Sequence, residues 1–164
     1  PWLGFSAALA AVNADTWATE LGVLNPNPPR MITNLTKVVE KGTSGGISLI
    51  GTLASLAGSA LIGILASILN LKVDSPQGAV PGSIFIIVTL AGLAGALFDS
   101  FLGATVQAMY FCPKDNKETE KHPLHTCGTL TTLIRGWSWL DNDLVNFACS
   151  AFGVLIYLLI KGFF

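Results

Sequence analysis

Charge is what this sequence has least of. Only 12% of its 164 residues are Asp, Glu, Lys or Arg, against about 25% in an ordinary soluble domain, which excludes an ordinary cytoplasmic globule. The charge that exists is balanced, nine basic residues against ten acidic, and without a basic excess the chain has no footprint for nucleic acid. Disorder is excluded by a 51% share of hydrophobic residues, because disordered segments combine low hydrophobicity with high net charge. Cysteine is scarce and odd in number, three in all, so no disulfide framework follows. Cys149 lies in an apolar stretch, which leaves Cys112 and Cys127 as the loop pair.

Long apolar runs are abundant, and the mean hydropathy is +0.61. The runs from Trp2 to Leu21, Ile47 to Leu71, Ser83 to Tyr110 and Leu144 to Phe164 each reach the roughly 20 residues that a helix needs to cross about 30 Å of hydrocarbon. The expected fold is therefore all-α, a polytopic integral membrane helix bundle with about four spans, forming one membrane domain over residues 1–164. Pro1 is no initiator and no polar leader precedes Trp2, so the chain is expected to be a fragment, or one whose first part is not included.

Basic residues set the expected direction. Arg30, Lys37 and Lys41 lie in the first loop, and Lys114, Lys117, Lys121 and Arg135 lie in the loop of residues 111–140; Lys72 and Lys161 lie on the opposite side. The positive-inside rule then places both long loops in the cytoplasm. With no targeting segment in view, the plasma membrane of a prokaryote is the expected setting.

An ionisable residue near the centre of a span costs at least about 2.5–3.5 kcal/mol and usually faces a bundle interior or a wet cavity. Asp15, Glu20, Asp99 and Asp143 are such residues. At about 100° per residue, Asn13, Asp15, Thr16, Thr19 and Glu20 share one half of the first helix, and Ala14, Trp17, Ala18 and Leu21 share the other. One side is expected to face protein and the other lipid. Gly92, Gly95, Asp99 and Gly103 form a stripe on the third helix, with Ser100 and Gln107 beside it; Ser48, Gly51, Ser55, Gly58 and Ser59 form a small-residue face on the second. Such faces suit close helix packing or leave a groove for a ligand, and packing alone does not account for the Asp99 carboxylate.

Lys41-Gly42-Thr43-Ser44-Gly45-Gly46 precedes the second helix. Freed backbone N–H groups, a helix N-terminus and a full positive charge together make a phosphate cradle; a plain N-cap by Thr43 or Ser44 is the competing reading. Before the fourth helix, Trp137 and Trp139 suit a membrane–water interface, and Asp141 or Asn142 suits its cap. Asp143, Asn146, Ser150, Gly153 and Tyr157 lie along one stripe, and Glu20 with Gln107 belongs to the same polar layer. In the loop of residues 111–140, Cys112, Asp115, His122, His125 and Cys127 supply enough ligands for a tetrahedral zinc site, and solvated loop residues with free thiols are the alternative.

Five blocks carry a resemblance: Ala14-Asp15-Thr16-Trp17-Ala18-Thr19-Glu20-Leu21-Gly22, Pro29-Arg30-Met31-Ile32-Thr33, Gly42-Thr43-Ser44-Gly45-Gly46, Phe98-Asp99-Ser100-Phe101-Leu102-Gly103-Ala104-Thr105-Val106-Gln107, and Leu140-Asp141-Asn142-Asp143-Leu144-Val145-Asn146. In this order they resemble the polytopic membrane family called domain of unknown function 92, which includes transmembrane protein 19 and the plant phytyl-phosphate kinase. The resemblance runs from about Trp2 to the C-terminus. It implies phosphoryl transfer from a nucleoside triphosphate, CTP-like, to an isoprenoid monophosphate held in membrane lipid, and further hydrophobic segments before Pro1.

If the resemblance carries over, Asp15, Glu20 and Asp99 are the catalytic carboxylates and would hold Mg²⁺. Lys41, Gly42, Thr43, Ser44, Gly45 and Gly46 would bind the nucleotide phosphates, with Arg30 as a mobile clamp. Gln107, Asn142, Asp143 and Asn146 would complete a polar wall, and the lipid tail would lie along the Gly/Ser helix faces. The rival is a transporter or channel in which the same carboxylates bind a cation or relay protons; a nonenzymatic scaffold leaves the buried carboxylates without a purpose.

Overall fold

The computed structural model describes residues 1–70 and 81–161. Four long helices carry the fold: α1 (Trp2–Gly22), α2 (Leu49–Asn70), α3 (Pro81–Thr105) and α4 (Asn142–Lys161). Lys72, the far ends of the second run at Leu71 and of the fourth at Phe164 lie outside the described residues.

The bundle is inside-out relative to a soluble protein. Small residues fill its interior: α1 buries Ser6, Ala7, Ala10, Ala11 and Ala14, and α2 buries Gly51, Ala54, Ser55, Gly58, Ser59 and Gly63. Large apolar side chains point outward, among them Phe5, Leu9 and Val12 on α1, Leu53 and Ile64 on α2, and Leu155 and Leu158 on α4. Lipid tails are as apolar as leucine, so helices in a bilayer associate through close packing rather than by hiding large side chains. The glycines supply that closeness. A Cβ on Gly92 would stand 2.7 Å from Ala10 Cβ, and one on Gly95 2.5 Å from Ala11 Cβ. Much of the helix faces expected to hold a lipid tail is therefore filled by neighbouring helices, while Ser48, Gly51 and Ser55 border a cavity.

α1 touches all three other helices, α3 touches α2 and α4 as well, and two larger clusters tie them together. Ala7, Ile87, Ala91 and Tyr157 join α1, α3 and α4; Ala10, Ala66, Ile84 and Val88 join α1, α2 and α3. The expectation that one half of α1 faces lipid fails at its C-terminal end. Trp17 and Asn13 close on Gly58, where Asn13 Nδ2 donates to the Gly58 carbonyl at 2.8 Å, and the Ala18 carbonyl closes on Gly51. Bare glycines on α2 leave a groove that this side of α1 fills, so both halves of the helix face protein there.

Two expectations about the architecture are corrected. Among the described residues, three helices rather than four are both long and apolar enough to cross a membrane: Leu49–Asn70, Gly82–Thr105 and Asn142–Lys161. α1 has the length, with 21 residues, but Asn13, Asp15, Thr16, Thr19 and Glu20 lower the apolarity of its second half. The chain is also not all-α. Between α1 and α2, β1 (Arg30–Met31), β2 (Asn34–Val38) and β3 (Gly46–Ile47) form an antiparallel sheet in the order β2-β1-β3. Between α3 and α4, β4 (Met109–Cys112), β5 (Lys117–Thr119) and β6 (Thr132–Arg135) form another, in the order β5-β4-β6. The third apolar run thus stops being helical at Thr105 and enters a strand at Met109. Strands of two to five residues in polar loops are too short for alternation to be read.

Both sheets lie at the same end of the bundle. Arg135 on β6 donates from Nη1 to the Gly103 carbonyl at 2.6 Å and from Nη2 to the Ser44 carbonyl at 3.2 Å, which ties the second loop to the end of α3 and to the turn of the first loop. Gly45 packs on Ala104 in the same region.

Candidate functional site

At this end of the bundle a cleft of about 390 Å³ opens between the helix ends and the sheets. Its volume falls in the range of about 300–1,000 Å³ usual for small-molecule sites. α1 lines it with Asp15, Thr19 and Glu20, α3 with Asp99 and Ser100, and α4 with Asn142 and Asn146. The turn from Lys41 to Gly46 forms another wall, continued by Ser48 just ahead of α2 and by Thr52 and Ser55 on it. The three carboxylates singled out in the sequence and the glycine turn therefore share one cavity.

The turn takes its shape from two glycines in the left-handed region, Gly42 at φ +86° and Gly45 at φ +84°. Gly46 N–H closes it by donating to the Thr43 carbonyl at 3.0 Å. Lys41 lines the cleft, but its ammonium donates to the carbonyls of Val23 at 2.9 Å and Asn25 at 2.6 Å, where it binds the C-terminal end of α1. A cation there complements the negative end of the helix dipole. The charge expected to face phosphate is thus committed to anchoring the turn. Arg30 sits outside the cleft on β1, donating from Nη1 to the Leu35 carbonyl at 2.7 Å.

The carboxylates are half-buried at Asp15 and Asp99 and exposed at Glu20. Asp99 accepts a hydrogen bond from the Cys149 thiol at 3.3 Å. Glu120, from the loop after β5, joins the same wall as Asp15 and Asp99. Like charges held together in a partly dry cleft oppose each other unless a cation lies between them. A smaller cavity of about 90 Å³ lies between α1 and α4, lined by Ala11, Val12, Asp15, Thr16, Asn146 and Cys149.

Gln107 lies behind the cleft rather than in it. It is 1% exposed, accepts from the Ser44 hydroxyl at 3.0 Å, and donates from Nε2 to Glu120 at 3.0 Å and toward Asn142 at 3.4 Å. One side chain thus links the glycine turn, the second loop and the start of α4. Gln107→Leu is expected to destabilise the protein by about 1–3 kcal/mol, the usual cost of stranding buried polar partners. The accompanying readout is faster proteolysis within residues 111–140 in detergent; an unchanged unfolding midpoint and cleavage rate would show that the link is dispensable.

Asp143 is not brought to the cleft. It is exposed in the first turn of α4, where a negative charge favours the helix N-terminus. Asp141 makes the cap, accepting from the Leu144 N–H at 3.0 Å through Oδ1. Trp137 and Trp139, stacked 5.5 Å apart and exposed, flank this helix start. Sequence reading misses Glu120 and Arg135 as neighbours of the turn; the pairing of β4 with β5 and β6 delivers both, and no motif marks it.

The loop cluster stands apart from the cleft. Cys112, Asp115, His125 and Cys127 gather, with one ligand atom from each lying within 4.8 Å of the others. His122 lies outside this group, its ring stacked 4.5 Å from that of Tyr110. Hydrogen bonds from Thr129, then His125, pull the Cys127 thiol down to about 7.

Comparison with known proteins agrees with the architecture. The family model described as integral membrane protein DUF92 matches residues 1–154. Protein PGR of Arabidopsis thaliana is 40% identical over 147 residues, covering 88% of this chain and 49% of the relative. Protein VTE6, chloroplastic, from the same plant is 27% identical over 161 residues, covering 98% of this chain and 38% of the relative. An uncharacterized membrane protein of Methanocaldococcus jannaschii is 40% identical over 104 residues, or 62% of this chain and 39% of that protein. The chain thus spans half the length or less of these relatives. No solved structure matches. With the family model covering nearly its whole length, this chain belongs to the DUF92 family of integral membrane proteins.

Proposed function

We propose that the cleft transfers a phosphoryl group from a nucleoside triphosphate, CTP-like, to an isoprenoid monophosphate. The observation that carries this reading is the meeting of Asp15, Glu20 and Asp99 with the Lys41–Gly46 turn in one cavity. The family's inclusion of the plant phytyl-phosphate kinase points the same way.

The donor set fits Mg²⁺, because carboxylate oxygens are hard ligands and Mg²⁺ is usually held by one or two of them together with substrate phosphates. Bound there, Mg²⁺ would neutralise charge on the transferring phosphate. Asp15, Glu20 and Asp99 would hold it, and the backbone N–H groups of Gly42, Ser44 and Gly45 would orient the nucleotide phosphates, those of Thr43 and Gly46 being donated within the turn. Ser44 is fixed by Gln107, so the turn keeps its shape as substrates enter. An oxygen of the lipid monophosphate attacks the γ-phosphorus, the bond from that phosphorus to the β,γ-bridging oxygen breaks, and a lipid diphosphate and a nucleoside diphosphate leave. The acceptor is already ionised, so no strong general base is required, and positioning with charge neutralisation supplies the catalysis. Since the Gly/Ser faces are filled where Ala10 and Ala11 meet Gly92 and Gly95, the tail leaves between α1 and α4, past Ala11 and Val12 beside the smaller cavity. Both sheets face the cytoplasm in this reading, which gives the cleft access to nucleotides.

The test incubates the full chain in detergent with Mg²⁺, labelled CTP or ATP, and a panel of isoprenyl monophosphates. Labelled isoprenyl diphosphate, lost on chelation of Mg²⁺, is the expected product; absence of product from every pair would overturn the proposal. The smaller cavity behind Asp15, partly polar through Thr16 and Asn146, favours a second reading as a cation or proton pathway, and flux in proteoliposomes without nucleotide would select it.

A further inference from the structure

The loop between α3 and α4 buries apolar side chains mainly at its two ends, Met109 and Tyr110 on β4 and Leu140 before α4. β5 is largely exposed, and the main clusters of buried apolar residues belong to the helices and their ends. Yet it folds into two turns that face each other. The β4–β5 hairpin presents Cys112 at the end of β4 and Asp115 in its turn, with Cys112 opposite Lys117. The second turn is closed by the His125 N–H donating to the Thr129 carbonyl at 2.9 Å and the Gly128 N–H to the His125 carbonyl at 2.8 Å. It presents His125 and Cys127.

We propose that Cys112, Asp115, His125 and Cys127 form a structural zinc site that clasps these two turns together. The sulfurs lie 3.5 Å apart as free thiols. A tetrahedral ion bound at about 2.3 Å from sulfur and 2.0–2.2 Å from nitrogen or oxygen sets ligand separations of about 3.3–3.8 Å. His125 is 7% exposed. Its Nδ1 pairs with Asp115 Oδ2 at 2.7 Å, so an ion taking both as ligands parts them by roughly 0.6 Å. Its other nitrogen, Nε2, lies 3.3 Å from the Thr126 hydroxyl, the kind of outer contact that orients a metal-bound imidazole.

The chemistry of the donors selects the ion. Two sulfurs and an imidazole suit zinc, whereas the all-oxygen set of the cleft suits Mg²⁺. Four protein ligands close the coordination shell, which marks a structural rather than a catalytic ion. Its service to the molecule is positional. The clasped loop carries Glu120, which Gln107 holds at the cleft wall, so zinc fixes the only wall of the cleft contributed by this loop among the described residues.

The test measures metal in the full chain purified in detergent without added zinc or chelator. About one zinc per chain is expected, resistant to excess Mg²⁺. Cys112→Ser with Cys127→Ser should bring it to background, and His122→Ala should leave it unchanged. Because the double variant could misfold, wild-type chain reloaded with Co²⁺ supplies the second readout, with thiolate-to-cobalt charge transfer and the intensity of a tetrahedral site expected. Wild-type chain without zinc or cobalt binding, whether its thiols titrate as free or as a Cys112–Cys127 disulfide, would overturn the site, as would zinc retained by a folded double variant.

Discussion

Asp99→Asn should abolish phosphoryl transfer while leaving the protein folded in the membrane and more resistant to heat. The two effects have separate physical causes. Removing one group that stabilises developing charge already costs about 10²–10³ in rate, and an amide is a far weaker ligand for Mg²⁺ than a carboxylate, so a loss of at least about 10³-fold is expected. Stability moves the other way because half-burying a charged carboxylate costs more than half-burying a neutral amide. The amide keeps an oxygen to accept from the Cys149 thiol. Transfer activity in the Mg²⁺-dependent assay and the unfolding midpoint in detergent are the measurements. Full activity would remove Asp99 from the metal site, and a lower midpoint would show that its carboxylate is already paired within the chain.

The importance of Asp99 is legible in the sequence because helix packing gives a lone carboxylate on a stripe of glycines, inside an apolar run, nothing to do. The same logic picks out Asp15 and the glycine turn, and the helices follow from apolar length alone. It stops where contacts are made by short strands. Glu120 reaches the cleft only because β4 turns back as β5, over three paired residues, and nothing in Lys117-Glu118-Thr119-Glu120 distinguishes it from a solvated loop. Gln107 is legible as polar and close to the layer, but its burial and its three partners depend on the distant Ser44, Glu120 and Asn142 converging. Lys41 and Asp143 show the converse: charges near the site by sequence turn out to serve a helix C-terminus and a helix N-terminus. The glycine stripes, readable either as packing surface or as groove, are packing surface at Gly92 and Gly95, where Ala10 and Ala11 oppose them, and border the cleft at Gly51 and Asp99.

The glycine turn provides the sharper contrast, because its two left-handed glycines differ in surroundings and not in backbone. A Cβ on Gly42 would meet nothing within 4 Å, so Gly42→Ala bears only the conformational cost of that region, about 1–2 kcal/mol. A Cβ on Gly45 would lie 2.5 Å from the backbone nitrogen of Ala104 and 2.6 Å from its Cα, atoms fixed in α3 that cannot rotate away. Overpacking of this kind adds about 1–3 kcal/mol, and the turn relieves it by moving off α3. Ser44 would then part from Gln107 and from Arg135, and the Gly45 carbonyl would lose the Ile32 N–H that donates to it at 2.9 Å. Gly45→Ala is therefore expected to lower the unfolding midpoint clearly more than Gly42→Ala and to reduce transfer by at least about 10²-fold, as misplacing a substrate-positioning group by about 1 Å does. Gly42→Ala should keep most of its activity. Equal losses in the two variants would mean that flexibility of the turn, and not its seat against the end of α3, is what the phosphates require.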